Sequence, residues 1–531
     1  MLKSSGGIGA ATLGSRVLGM VRDQFFAYTM GTGPISAAFQ YAFMVPNLFR
    51  RLLGEGALTA AFIPIFKAKE KNEGEPAMWQ SANAVTSGLF VVAPALVALA
   101  MIVISLLLLY PGWSSDTRLM FQLMRLMFPY MILACLGAIF MGILNARGHF
   151  FIPSASPAIL NIVLIVTMWM VAPKLGHTAE TRVVVVAWGV LAAGVGQAFF
   201  QLPTMWREGF RYHWVTPWRD PSAREVVTQM IPSAIGVAAF QLNVLLTQSL
   251  AFGANKSIVA EFFYAVRLME LPQGVFGLSL ATFLLPTLSS LAVEKNYGGF
   301  RATLRQGVSH LIFVNLLASV LLFTLAEPII RLLFQHGKFD AQSTAHVSFA
   351  LMCLVPGLVS FSLVNILARA FYALKDTRTP MQVSVFCLAT NLLLTGVFLF
   401  GSKLGAGSLG IANSLTSFCN LSLLIFALRK KLRTLEMAEC LAQLPRLALA
   451  GVLAGAVAWL LRWYWTQQAG HATLLLKLGE VFVPMTAATT IYFLLTVWWK
   501  VPSAHEIGDF LRGRLFAENK PVTVAAQAEQ S

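Results

Sequence analysis

Arg16, Arg22 and Asp23 sit within one long apolar stretch of the chain, and Arg50, Arg51 and Glu55 sit within the next, after Pro46-Asn47. Arg125 lies in a later stretch, Glu261, Arg267 and Glu270 in another, and Arg369 near the end of one more. An arginine near the centre of a bilayer costs about 3 kcal/mol by insertion scales. Several facing lipid together would be untenable, so these groups must face a hydrated cavity or pair internally. Local spacing offers pairs: Arg51 with Glu55 and Arg267 with Glu270 can each meet on one helix face, and Arg16 shares a side with Asp23. The same residues could instead fasten helix to helix or snorkel to the interface. The sign of the charge separates ligand classes, because about seven in-span arginines against roughly four carboxylates give a cavity of positive potential. Such a cavity attracts an anion and repels an organic cation. The planar guanidinium fork also suits phosphate, through paired charge-assisted hydrogen bonds. The expected ligand carries phosphate or carboxylate and enters by a route open to the membrane.

The elements that must position these groups follow from composition. Of 531 residues, 57% are hydrophobic and 12% charged, where a soluble chain carries about 25% charged residues. Apolar runs of spanning length recur along almost the whole chain. They are continuous and lack the period-two alternation of a membrane barrel. The reading is an all-α polytopic membrane protein with about fourteen transmembrane helices. Their expected limits are 5–30, 35–66, 79–109, 118–146, 152–173, 183–207, 225–253, 257–292, 303–326, 343–373, 379–401, 407–429, 443–464 and 474–499. Ile329 to Phe339 is too short to cross and reads as an interfacial or re-entrant piece.

The net charge of +16 is placed in loops rather than on a nucleic-acid surface. With the N-terminus in the cytoplasm, that side collects Lys67, Lys69, Lys71, Arg207, Arg211, Arg219 and the run Arg429, Lys430, Lys431 and Arg433. Lysines and arginines then favour that side by more than roughly two to one, which puts both termini inside. No CxxC pair or HExxH pattern occurs among the five cysteines and eight histidines, so neither a metal site nor a disulfide is expected. No nucleophile–base constellation points to an enzyme, and no cofactor is expected.

An internal repeat organises the chain. Ala37-x-Phe39-x-Tyr41-Ala42 recurs as Ala260-x-Phe262-x-Tyr264-Ala265, and Pro129 and Pro153 recur as Pro356 and Pro380. The offset of roughly 225 residues equals six spans, so the two copies share one orientation. The expected divisions are 1–220 (first lobe), 221–432 (second lobe), 433–502 (a terminal helix pair) and 503–531 (a cytoplasmic tail). Prolines within spans, such as Pro46, Pro272 and Pro286, serve as hinges or as static kinks.

Ordered motifs add a resemblance. They are Ser15-Arg16-Val17-Leu18-Gly19 with Arg22-Asp23, Pro46-Asn47-Leu48-Phe49-Arg50-Arg51, Glu55-Gly56-Ala57 with Phe62-Ile63-Pro64, and Leu144-Asn145-Ala146 with Pro153, Pro157 and Asn161. Tyr264-Ala265-x-Arg267-Leu268-Met269-Glu270-Leu271-Pro272, Phe334-Gln335-x-Gly337-Lys338-Phe339 and Phe371-Tyr372-Ala373 with Asp376-Thr377 and Thr379-Pro380 follow in order. From about residue 6 to 500 the chain resembles the lipid II flippase family (MurJ, also called MviN) of the multidrug/oligosaccharidyl-lipid/polysaccharide exporter superfamily. The resemblance implies two parallel six-helix lobes plus a C-terminal helix pair shaping a groove for a polyprenyl tail. It implies alternating-access transfer of an undecaprenyl-pyrophosphate-linked peptidoglycan precursor from the cytoplasmic to the periplasmic leaflet of the inner membrane. The implied substrate residues are Arg16, Arg22, Arg50 and Arg267, supported by Asp23, Asn47, Glu55 and Asn161. Two departures stand out: Ala37 and Val266 occupy positions where the family often has Asp, which makes this cavity more positive. Some family members bind sodium through acids in the seventh and eleventh spans, and neither span carries a core carboxylate here. Membrane potential acting on a charged site is the simpler driver. The other readings are an exporter of another polyprenyl-linked glycan or a small amphipathic solute, an intramembrane enzyme on the same lipid, and a non-transporting scaffold for cell-wall synthesis or division proteins.

Overall fold

The computed structural model of the chain describes residues 2–51 and 57–506. Among the described residues every regular element is helical. The first half runs α1 (Leu2–Met30), α2 (Pro34–Arg50), α3 (Ala57–Glu73), α4 (Glu75–Leu108), α5 (Ser115–Met127), α6 (Tyr130–Ala146), α7 (Phe151–Val166), α8 (Ala172–Leu175) and α9 (Ala179–Arg207). Then come α10 (Pro221–Ala254), α11 (Ser257–Pro272), α12 (Ser279–Val293), α13 (Tyr297–Thr324), α14 (Ala326–Phe334), α15 (Ala341–Leu354) and α16 (Leu358–Ala373). The last four are α17 (Arg378–Gly401), α18 (Gly407–Leu432), α19 (Ala438–Gln468) and α20 (Leu474–Trp498).

Among the described residues, nine helical stretches are long and apolar enough to cross a bilayer. The α5–α6 pair, bent by 42°, makes a tenth. The other four expected spans fall on α1, on α2 and α3, on α10 and on α11 and α12, helices outside that set, so the described residues do not establish the expected count of about fourteen. Large apolar side chains such as Leu99, Ile102, Leu106, Leu393 and Trp459 are exposed along these helices. Water would reject that surface, and a hydrocarbon solvent accepts it, because each helix satisfies its own backbone polar groups. The chain is an all-α, multi-pass membrane protein.

Helix ends are set by local chemistry. Pro221 opens α10 behind Asp220, whose carboxylate accepts from the N–H groups of Ser222 (2.9 Å) and Ala223 (3.2 Å). Free N–H groups at a helix start need such an acceptor, and proline tolerates the first helical position. Thr178 and Thr181 close a reciprocal capping box at the start of α9. Prolines mark interior breaks: α5 gives way to α6 at Phe128-Pro129, and α15 to α16 through the tight turn Val355–Gly357, which contains Pro356. Proline removes a helix hydrogen bond and clashes with the preceding turn.

The chain divides into two compact units. The first comprises Met1–Leu268, Ile329–Leu354 and Met381–Thr416. Here α7 packs between α1 and α9, while α10 lies against α3 and α4. The turn between α1 and α2 is interlocked with the segment that follows α14. Gly31 and Gly337 both adopt left-handed backbone, with φ of 65° and 60°. A Cβ on Gly31 would meet the Lys338 carbonyl oxygen at 2.7 Å, and one on Gly337 would meet the Tyr28 carbonyl oxygen at 2.5 Å. The Lys338 N–H donates to the Tyr28 carbonyl at 3.0 Å, and the hydroxyls of Thr32 and Ser343 lie 2.8 Å apart. The short α14 fits the expectation of a piece too short to cross.

The second unit comprises Met269–Pro328, Val355–Pro380 and Ser417–Ser531. In it α12, α13 and α16 pack together, and α19 pairs with α20 and α13. Gly451 and Gly455 let α19 approach Leu316 and Val320 of α13 closely, the small-residue device of helix packing in lipid. The Tyr492 hydroxyl of α20 donates to the Phe313 carbonyl at 3.0 Å.

The repeat seen in the sequence reappears in the backbone, roughly 225 residues on. The broken pair α5–α6 corresponds to α15–α16, α7 to α17, and α9 to α18. Left-handed residues recur as well: Gly74 at φ 87° and Lys295 at 56°, Gly148 at 88° and Lys375 at 56°, Gly209 at 96° and Arg433 at 66°. Each pair follows corresponding helices. The first copy uses glycine there, and the second uses a cation.

Candidate functional site

Three helices of the first unit bring charged groups together. From α1 come Arg22 and Asp23, from α7 Asn161, and from α11 Arg267. Arg22 donates to Asp23 Oδ1 through Nε (3.0 Å) and Nη2 (2.6 Å), and through Nη1 to Asn161 Oδ1 (3.1 Å). Arg267 Nε lies 3.0 Å from the other carboxylate oxygen of Asp23, Oδ2. Asn161 turns its Nδ2 to the Ser15 carbonyl at 3.1 Å, which fixes the amide so that its oxygen faces Arg22. The α1–α7 packing makes this reach possible: Gly19 leaves room for the Asn161 amide, 3.6 Å from where a Cβ would stand.

The burial gradient across the cluster matters. The Asp23 side chain is 6% exposed, that of Arg22 13%, and that of Arg267 35%. A carboxylate so buried is stable only when paired and hydrogen-bonded; Arg22 does both, and Arg267 adds a second positive charge without a hydrogen bond from its Nε. Two positive groups thus share the one carboxylate of Asp23. Arg267 is the most open member of the cluster, and its guanidinium carbon lies 5.1 Å from the centre of the Phe263 ring. A guanidinium that open can present its planar fork to an incoming phosphate or carboxylate.

Arg50 forms a second station, donating through Nε to Asn47 Oδ1 at 3.1 Å, while Asn47 Nδ2 holds the Phe43 carbonyl at 3.1 Å. Arg16 is exposed on α1, and it is not a partner of Asp23, contrary to what their spacing suggested. Arg51, Arg125 and Glu270 are exposed as well. Glu55 lies outside the described residues, and with it the expected Arg51–Glu55 pair. Ala37 is fully buried, so this position supplies packing where an acid would have supplied charge.

Sequence spacing did not find a second network, at the ends of α3, α6 and α9. Arg147 pairs with Glu70 (2.6 Å), Glu75 (3.0 Å) and Glu208 (2.9 Å), and His149 lies 2.8 Å from Glu208. The hydrogen bond that Arg147 donates to Glu208 holds the guanidinium above its ordinary value, against the opposing effect of burial. Arg147 and then His149 hold the Glu208 carboxyl below its ordinary value. Lys67, ahead of Arg147, does the same for Glu70. These acids come from segments far apart in sequence, so only folding shows that they converge. Their signal was weak: Arg147 and His149 flank Gly148 at the end of a span.

Similarity to known proteins adds to this geometry. A family model described as "Lipid II flippase MurJ" matches residues 26–479. A probable lipid II flippase MurJ of Vibrio cholerae serotype O1 is 32% identical over 500 residues, covering 90% of this chain and 94% of that protein. The lipid II flippase MurJ of Burkholderia cenocepacia is 32% identical over 432 residues, covering 79% and 82%. Among solved structures, a lipid II flippase MurJ in an inward closed conformation superposes with a TM-score of 0.73 at 22% identity, over 93% of this chain and 98% of that one. An inward-facing multidrug transporter of the MATE family superposes at 0.67 with 16% identity, over 79% and 96%. The last two likenesses concern the fold.

Proposed function

The chain belongs to the lipid II flippase MurJ family, and on that premise we propose that Arg22, Asp23 and Arg267 seat the pyrophosphate of the lipid it moves. The protein is a transporter, not an enzyme: it flips lipid II, a peptidoglycan precursor, across the membrane. The observation that carries the site assignment is the two-to-one sharing of Asp23 by Arg22 and Arg267. The shared carboxylate keeps both guanidiniums folded in and oriented, and Arg267, the more open of the two, meets the incoming phosphates. Asn161 aims Arg22. Arg50, held by Asn47, and Arg16 extend the positive path along the same unit, and Glu55 completes the set.

The direction of movement is from the cytoplasmic to the periplasmic leaflet of the inner membrane, by alternating access, with both termini in the cytoplasm. The loop lysines and arginines support that orientation. The divisions at 220, 432 and 502 follow the repeat. Membrane potential acting on the positive site drives the cycle. Contacts with cell-wall synthesis or division proteins belong to the same proposal.

The test is a proteoliposome assay that reads the exposure of labelled lipid II on the far leaflet, with Arg267→Ala beside the parent protein. Transport should fall at least tenfold. Undiminished transport in that variant would remove the site assignment. Transport of another polyprenyl-linked glycan in preference to lipid II would redirect the substrate assignment.

A further inference from the structure

The first unit holds a cleft that the charged cluster does not use. It lies beside the Met30 end of α1, under the interlocked glycine turns, with a volume of about 270 Å³. Phe25 and Tyr28 of α1, Met168 and Trp169, and the cations Arg182 and Lys338 line it. Met168 and Trp169 come from a π-turn, Thr167–Val171, inserted between α7 and α8. The wider turn shifts the helical register, so that Met168 is buried and Trp169 is 66% exposed. Such turns often occur at functional positions.

The charge of the cleft is one-sided. No Asp or Glu lines it. Arg182 spends its Nε on the Gly176 carbonyl, at 3.0 Å, which fixes the guanidinium while leaving its terminal nitrogens without a partner among the described residues. The Lys338 backbone is pinned to Tyr28, and its exposed side chain carries no ion pair among the described residues. Asp340, two residues from Lys338, is committed to the start of α15, where it accepts from the Ser343 N–H at 2.7 Å, and Glu180, two residues from Arg182, is exposed in the first turn of α9 outside the lining. The location is equally specific. The cleft stands where the crossing stretch Phe151–Leu175 ends and Ala179–Arg207 begins, beside exposed Tyr28, Trp169 and Leu175, the aromatic and apolar edge expected at a membrane interface.

Two anchored cations above an aromatic slot at the interface complement a phosphate joined to a hydrocarbon chain. We propose that this cleft binds an anionic phospholipid of the surrounding bilayer, its phosphate between Lys338 and Arg182 and its upper chain against Phe25 and Trp169. Because Lys338 belongs to the segment locked onto the α1–α2 turn, the bound lipid braces that crossing.

The experiment uses the full chain in detergent and counts bound lipid by native mass spectrometry. Phosphatidylglycerol should bind, and phosphatidylcholine should bind at least fivefold more weakly. The double variant Lys338→Gln, Arg182→Gln should lose about tenfold in phosphatidylglycerol affinity, as expected for two phosphate-facing cations. Lys174→Gln, an exposed cation outside the cleft, should bind within twofold of the parent. If the double variant fails to fold, Lys338→Gln alone carries the test, since that side chain is exposed, and it should lose at least threefold. Equal binding of the two lipids, or parent-like affinity in the variants, would overturn the proposal. So would undecaprenyl pyrophosphate competing at tenfold lower concentration than phosphatidylglycerol, which would make the cleft a substrate station.

Discussion

Arg267 Nε stands 3.0 Å from Asp23 Oδ2, on the carboxylate oxygen to which Arg22 does not donate. The two residues come from different helices, so their contact fastens α1 to α11. Removing either partner therefore does different things. Asp23→Ala takes away the carboxylate that both guanidiniums share and should destabilise the protein by about 3 kcal/mol, the usual result of breaking a buried ion pair. Arg267→Ala leaves Asp23 still bound to Arg22 and should cost clearly less. Thermal melting of the two single variants and the double variant checks this. The double variant should be more stable than Asp23→Ala alone, a coupling that separate roles for the two residues would not produce.

Asn161 tests how the charge of the cluster sets substrate affinity. Asn161→Asp keeps the side-chain shape and places a second carboxylate opposite Arg22, but it loses the Nδ2 donor to the Ser15 carbonyl. The melting temperature should fall, since a buried acceptor is left facing that carbonyl, while affinity for a pyrophosphate lipid falls about tenfold, roughly 1.4 kcal/mol. Binding titrations with undecaprenyl pyrophosphate measure the effect. Unchanged affinity would detach the charge of the cluster from substrate binding.

Acid should loosen the unit ends through named carboxylates. Burial, the largest influence on Asp376, pushes its carboxyl up. The Lys431 ammonium at 2.7 Å and the Thr379 N–H and hydroxyl outweigh it, and bring the group down to about 2. A carboxyl depressed in the folded state contributes stability above its unfolded value of 3.8, and that stability is lost as the pH falls towards 2. Glu208 and Glu70, also depressed, act in the same direction. Melting temperature measured from pH 7 down to pH 3 should fall mainly below pH 4. Lys431→Gln should leave the onset of that loss where it is, end it at higher pH and so shrink the total loss.

The left-handed cations of the second repeat are strained relative to their glycine counterparts. Lys375 at φ 56° bears about 1–2 kcal/mol for its Cβ, whereas a glycine there costs about 0.4–1 kcal/mol through the freer unfolded chain. Lys375→Gly should thus stabilise by about 0.5–1 kcal/mol. Gly148→Ala, with no atom within 4 Å of the new Cβ, should destabilise by about 1 kcal/mol from backbone strain alone. Thermal melts of both variants decide it.

The membrane class was legible because hydrocarbon imposes length and apolarity on every span. The repeat was legible because Pro129 and Pro356 break corresponding helices. The arginines were legible because lipid makes each one costly. Pairing was not. Spacing along one helix tied Asp23 to Arg16, yet its partners proved to be its neighbour Arg22 and Arg267 of α11. Contacts between helices depend on rotation and crossing, which one-dimensional spacing does not encode. The same limit hid Arg147, whose three acids approach from separate helix ends, and the cleft at Lys338, which gathers Lys338 and Arg182 from segments far apart in sequence.

That crossing has a consequence for genetics. At Gly31 and at Gly337 the nearest obstacle to any side chain is a main-chain oxygen of the opposite turn, joined at Gly337 by the Tyr28 ring. No compensating substitution at a neighbouring position can clear it. Revertants of Gly31→Ala or Gly337→Ala should therefore be true back-mutations or changes in turn length, and a search for single-residue suppressors should come back empty.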